Sequence, residues 1–121
     1  MAYDPVLADR IAAELAGEPD VTTRKMFGGI AWLCAGHMAV GLVGEDLMLR
    51  LGDDGAAIAL QAPGVRPMDF TGKPLRSMVY VGPEATGSRR ELRDWLGRAL
   101  RVARAMPPKA ARGRARRRPQ R

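Results

Sequence analysis

Between Lys25 and Glu45 the chain has no formally charged side chain, and the nineteen residues of that gap hold five glycines with its only Cys and only His. Nineteen mostly apolar residues approach the roughly 20 that a membrane-spanning helix needs. The glycines argue the other way, since each costs a helix interior about 1 kcal/mol relative to Ala, and His37 lies near the centre. The stretch reads instead as strands over 30–34 and 37–43 about a tight turn at Ala35-Gly36, and no membrane segment is expected. A second turn at Gly44-Glu45-Asp46 leads to a strand over 47–51. Alternation then assigns Ile30, Trp32, Cys34, Met38, Val40, Leu42, Leu47, Leu49 and Leu51 to a core face. The other face, with Ala31, Leu33, Ala39, Gly41, Val43, Met48 and Arg50, is still largely apolar. Such a face must be covered by the rest of the chain or meet a partner or second copy.

The remaining segments frame this sheet. A helix is expected over 5–16, with Asp4 as cap, Pro5 in the first turn and Gly17 as a left-handed exit; Leu7, Ile11 and Leu15 fall on one face with Ala8 and Ala12. Asp53-Asp54 are expected to cap a short helix over 55–62, ended by Pro63-Gly64. Residues 66–70 and 75–81 read as a second hairpin about the turn TGKP. Ser88 and Glu91 have capping-box spacing, and Leu92, Trp95, Leu96, Ala99, Leu100, Ala103 and Met106 trace one helical face until Pro107-Pro108. The order α-β-β-β-α-β-β-α with antiparallel hairpins is that of an α+β two-layer sandwich.

The charge is unevenly placed. Of 20 Lys+Arg, seven lie in the last fifteen residues, PPKAARGRARRRPQR, leaving thirteen against all 13 Asp+Glu in residues 1–106. A neutral domain over 1–106 is thus followed by a basic tail over 107–121, which lacks large apolar residues and is expected to be disordered. Lys109, Arg112, Arg114, Arg116, Arg117, Arg118 and Arg121 are candidate non-specific nucleic-acid contacts. Arg90, Arg93, Arg101 and Arg104 of the last helix could extend this stripe, with Asp94 among them as a partial neutraliser of Arg90 and Arg98. The single Cys excludes an internal disulfide and fits a reducing compartment; the N-terminus has no signal-peptide pattern, so a cytoplasmic location is expected.

Catalytic patterns are thin. Gly28-Gly29 precedes a strand and not the helix N-terminus that a phosphate site requires, so it reads as a bend or bulge. Gly72-Lys73 is followed by Pro74 in place of the Ser/Thr of a phosphate-binding loop, and Gly41–Gly44 lacks the basic residues of a nucleic-acid GxxG loop. Cys34 and His37 flank one turn and could meet, but no third residue orients them. A zinc site would have to borrow Glu45 and Asp46, and neither metal nor cofactor is expected. Asp69 interrupts an apolar strand; a hydrogen bond to the TGKP turn, or an ion pair with Lys25, Arg66 or Lys73, accounts for it better than acid–base chemistry.

Several stretches together carry a family likeness: KMFGG (25–29), GLVGEDLMLRL (41–51), RPMDFTGKPL (66–75), VYV (79–81) and the PPK that ends the last helix. The chain resembles the TfoX N-terminal domain (TfoX/Sxy-like) family up to Lys109, with Lys25, Met26, Phe27, Gly28, Gly29, Pro67, Met68, Asp69, Phe70 and Gly72 as the motif residues. The resemblance implies a secretion-chaperone-like α+β fold and a bacterial regulator of competence type. It brings no catalytic set. The family's namesake acts with the cyclic-AMP receptor protein and has a helix-hairpin-helix C-terminal domain, where this chain is expected to have only the basic tail. The expected function is therefore a non-enzymatic regulatory or adaptor module working through protein contacts, the alternatives being tail-driven nucleic-acid binding and, behind it, an enzyme using Cys34 or Asp69.

Overall fold

Asp4 begins the first element: its Oδ1 accepts the backbone N–H groups of Val6 at 2.9 Å and Leu7 at 3.4 Å, and Pro5 takes the first helical position. Helix α1 (Pro5–Leu15) buries Leu7, Ala8, Ile11 and Leu15. The computed structural model describes residues 3–26, 28–70 and 73–107, with residues 70, 73 and 74 by backbone alone. Phe27, Gly72 and the basic residues of the tail, Lys109, Arg112, Arg114, Arg116, Arg117, Arg118 and Arg121, lie outside the described residues. Gly17 is not the left-handed exit expected of it. Ala16 closes α1 in a right-handed conformation, and the chain turns through bonds from Glu18 N–H to the Leu15 carbonyl and from Val21 N–H to the Glu18 carbonyl.

The next element is a strand that alternation did not reveal. Strand β1 (Val21–Met26) pairs only with β2 (Gly29–Cys34), so it is an edge with few core contacts and no apolar period to read. Its β-branched Val21, Thr22 and Thr23 favour extension, and Arg24 and Lys25 charge the edge against further pairing. Strands β3 (His37–Val43) and β4 (Asp46–Arg50), helix α2 (Gly52–Ala59), strands β5 (Val65–Phe70) and β6 (Lys73–Val81), and helix α3 (Arg89–Ala105) follow. The six strands form one antiparallel sheet in the order β1-β2-β3-β4-β6-β5. The fold is the expected α+β class, with four strands and not three before α2.

Two local departures shape the sheet. The β2–β3 turn has φ 53° at Ala35 and φ 88° at Gly36, the pair of positive angles of a type I′ hairpin. Further along, the register passes from Trp32↔Val40 to Leu33↔Met38, leaving Ala39 as the extra residue of a β-bulge. The bulge overturns the alternation assumed for β3. Val40, Leu42 and also Ala39 are buried in the helix-side core, while Met38 turns to the opposite face and packs with Met48, Met68 and Met78.

Helix α2 starts earlier than expected, with Leu51 at the N-cap position and no side-chain cap. Asp53 and Asp54 lie in its first turn, where their charge suits the helix dipole without capping it. At α3 the capping box is complete: Ser88 Oγ accepts from Glu91 N–H and Glu91 Oε1 from Ser88 N–H, each at 3.0 Å. Its stripe of Leu92, Trp95, Leu96, Ala99, Leu100 and Ala103 is buried across β2, β3 and β4, and Trp95 Nε1 donates to the Ala85 carbonyl. The main core joins α1, α2 and α3 to one sheet face. Among the described residues no helix is long and apolar enough to cross a membrane.

Backbone geometry generates a paired prediction. A Cβ at Gly29 would collide with the Leu42 carbonyl oxygen across the β2–β3 ladder. Gly29→Ala should therefore cost about 1–3 kcal/mol in equilibrium denaturation. Ala35→Gly should gain a few tenths to about 1 kcal/mol by removing a left-handed alanine. Equal small effects from both would contradict this account.

Candidate functional site

The sheet face away from the helices is built around one row of residues. Pairing registers place Arg24, Ala31, Gly41, Met48, Tyr80 and Arg66 opposite one another in turn across all six strands. The row runs from small Ala31 and Gly41 to large Met48 and Tyr80, with an arginine at either end. A Cβ on Gly41 would lie 2.6 Å from Met48 Cε and 3.3 Å from Met38 Sδ, so the glycine is the floor over which these two thioether chains fold. Met38, Met48, Met68, Met78, Tyr80, Val43 and Leu75 then line a pocket of about 290 Å³. Val43 and Leu75 form its exposed apolar lip, each 37% accessible, whereas Met48, Met68 and Met78 are buried.

Arginines brace the pocket. Arg50 Nε donates to the Met38 carbonyl at 2.7 Å beside the bulge, and burial lowers the pKa of this half-buried guanidinium from its ordinary value. The Arg66 guanidinium stacks 5.2 Å above the Tyr80 ring centroid and pairs with Asp46 at 2.8 Å. Methionine supplies a polarizable, unbranched lining that adapts to the shape of what it meets. Among the described lining residues the Tyr80 phenol is the one ionisable group.

The family-like residues divide between structure and surface. Gly28 adopts φ 72° in the β1–β2 turn, and Gly29 admits the close backbone approach described above. Met26 is half-buried opposite Gly29, while Lys25 is exposed. Of the family-like residues whose side chains are described, Met68 enters the pocket. Pro67 stands opposite Val79, and Asp69 is exposed opposite Pro74. Arg66 is engaged with Asp46, so its suggested pairing with Asp69 is not made.

Cys34 and His37 are cross-strand neighbours that turn to different partners. The buried Cys34 thiol donates to Asp20 Oδ2 at 3.3 Å, and His37 Nε2 lies 2.6 Å from the Pro107 carbonyl oxygen. Burial pushes the thiol pKa up, and the Asp20 carboxylate adds to the rise, which is the reverse of what a nucleophile needs. Asp20 is in turn gripped by Arg104 through two bonds of 2.8 Å, with Glu18 taking a third from the same guanidinium. The Arg104 contacts, and then the Cys34 thiol, hold the Asp20 carboxyl well below the ordinary carboxylate range. Among the described residues no three His, Cys, Asp or Glu side chains converge.

Of the basic stripe expected on α3, Arg93 and Arg104 are ion-paired, whereas Arg90 and Arg101 make no ion pair among the described residues, and Asp94 neutralises Arg98 but not Arg90. Arg89 and Arg93 both reach Glu14, Arg98 pairs with Asp94 as anticipated, and Arg104 serves Glu18 and Asp20. Sequence reasoning passed over the acidic partners because they sit on and after α1, far from α3 along the chain. It also missed the methionine pocket: three of its methionines lay on what looked like unrelated strand positions, and the bulge that recruits Met38 has no sequence signal beyond the small Ala39.

The TfoX N-terminal domain model matches residues 13–103. The chain belongs to the TfoX N-terminal domain family. No curated protein matches it. In this TfoX N-terminal domain the match begins within α1 and ends within α3, so it takes in the entire sheet and the methionine pocket.

The Asp20 cluster predicts a pH response. Because the folded pKa is depressed, the stabilisation it provides is complete above the unfolded value of about 3.9 and is lost as pH falls below that toward the folded value. Melting temperatures from pH 6 to pH 2 should show wild type and Asp20→Asn converging at the acid end. Cys34 should react with iodoacetamide at neutral pH on the order of 100-fold more slowly than in the unfolded chain; rapid alkylation of the native protein would contradict its buried, protonated state.

Proposed function

We propose that this TfoX N-terminal domain is a non-enzymatic regulatory or adaptor module, cytoplasmic and linked to transcription or competence-type regulation, that acts through protein contacts of its open sheet face. The observation that carries the reading is the apolar, methionine-lined pocket on the sheet face opposite the described helices. Soluble domains keep contiguous apolar concavities of this kind for partners. The candidate catalytic groups lend no support to the enzyme alternative: the Cys34 thiol is committed to Asp20, His37 to Pro107, and Asp69 is exposed on the β5 edge strand.

The tail supports a second, subsidiary activity. Residues 1–106 balance thirteen Lys and Arg against thirteen Asp and Glu, so the seven basic residues from Lys109 to Arg121 carry the net positive charge of the chain. They suit sequence-indifferent contact with phosphate backbones.

Titration with duplex DNA and with RNA at two salt concentrations tests both readings. The comparison is between the natural chain and a full-length variant with all seven tail cations replaced by Ser. The expected result is weak binding, indifferent to sequence, with a salt slope no steeper than about −6, and absent from the variant. Sequence-selective binding that survives in the variant would overturn the protein-contact reading, because the folded domain would then itself read nucleic acid.

A further inference from the structure

We propose that the methionine pocket seats the apolar anchor side chain of an acidic segment of a partner protein, an inference that rests on reading the domain as a protein-contact module. Size is the first argument. At about 290 Å³ the pocket falls just below the roughly 300–1,000 Å³ usual for small-molecule sites. That volume suits one or two large side chains inserted as a buried hot spot. The lining is the second. Four methionines and Tyr80 present flexible apolar surface able to fit anchors of different shape, and the lip of Val43 and Leu75 continues that surface outward.

Charge selects the partner. Arg24 and Arg66 end the row that crosses the pocket, and Arg50 is fixed beside it on the Met38 carbonyl. The acid in the strands of this face, Asp46, is already engaged by Arg66. With Arg66 neutralised by Asp46, the positive charge left on this face comes from Arg24 and Arg50, so a segment whose anchor is flanked by Asp or Glu meets complementary charge there, and a basic one meets repulsion. The same reasoning removes two other occupants. The chain's own residues 107–121 contain seven basic residues, no acid and no large apolar side chain. A second copy docked face to face about a two-fold axis would set this cationic patch against itself.

The test uses fluorescein-labelled 15-residue peptides with a central Leu, Phe, Met or Trp flanked by Glu/Asp, by Ser or by Lys, and an acidic series with no anchor. Anisotropy is read with the full chain, with Leu75→Glu and Val43→Glu, with Arg24→Glu, and with the tail-serine variant. Leu75 and Val43 are lip residues, so folding should survive their substitution, and melting curves check it. Acidic anchored peptides should bind at least tenfold more tightly than the serine-flanked or anchorless ones. Leu75→Glu and Val43→Glu should each weaken them tenfold or more, and Arg24→Glu severalfold, while tail substitution leaves the anchor dependence intact.

Four results would overturn the proposal. Binding that follows the tail and ignores Leu75→Glu is one, and equal binding of acidic and basic anchored peptides is another. In the third, no peptide binds and light scattering shows a dimer abolished by Leu75→Glu; the occupant is then a second copy, and the protein-contact reading stands without the acidic partner. A strict monomer that binds no peptide would remove both.

Discussion

One extra residue in β3 governs how this sheet is divided. Had the β2–β3 ladder run without a bulge, Met38 would lie beside Val40 and Leu42 under the helices, as simple alternation demands. The insertion of Ala39 lets Val40 and Leu42 remain in the main core while Met38 joins the opposite face. The shift also brings the Met38 carbonyl to Arg50, which anchors a cation that a mostly apolar face would otherwise expel. Core, pocket and the charge beside the pocket all follow from that insertion.

The helical layer is fastened by polar contacts at its margins as much as by its apolar seam. Glu14 on α1 receives Arg89 and Arg93 from α3, Arg10 donates to the Thr86 and Ser88 carbonyls, and Arg104 closes on Glu18 and Asp20. Exposed pairs of this kind are each worth only about 0–1 kcal/mol. Their placement matters more than their sum: they tie α3 to α1 and to the segment that follows it, while the buried stripe from Leu92 to Ala103 fixes the face that α3 turns to the sheet.

Much of the architecture was legible because it rests on local rules. Asp4 with Pro5, Ser88 with Glu91, and the glycine turns announce their elements through capping and turn chemistry that the sequence displays directly. Strand β1 was hidden because an edge strand with one side in solvent needs no alternation. Gly17 misled because a glycine after a helix permits a left-handed exit without compelling it. The pocket was the least readable feature. Its lining comes from β3, β4, β5 and β6, and its membership depends on register shifts at Ala39 and between Pro67 and Met68 that no local preference encodes. That Cys34 and His37 turn to separate partners was hidden for a related reason: adjacency across a turn says nothing about Asp20 and Pro107, which reach the two side chains from elsewhere in the chain.

The bond between His37 and Pro107 has a spatial consequence of its own. His37 belongs to the strand end that faces the helices, and its contact with the Pro107 carbonyl clasps the chain there just after α3 ends. Pro107 thus lies on the helical side of the sheet, and the methionine pocket on the other. A polyanion drawn to the tail near its root and a protein segment lodged in the pocket would approach from opposite sides of the molecule, so occupancy of one need not obstruct the other. The two proposed contacts would in that sense fall on opposite sides of one thin sheet.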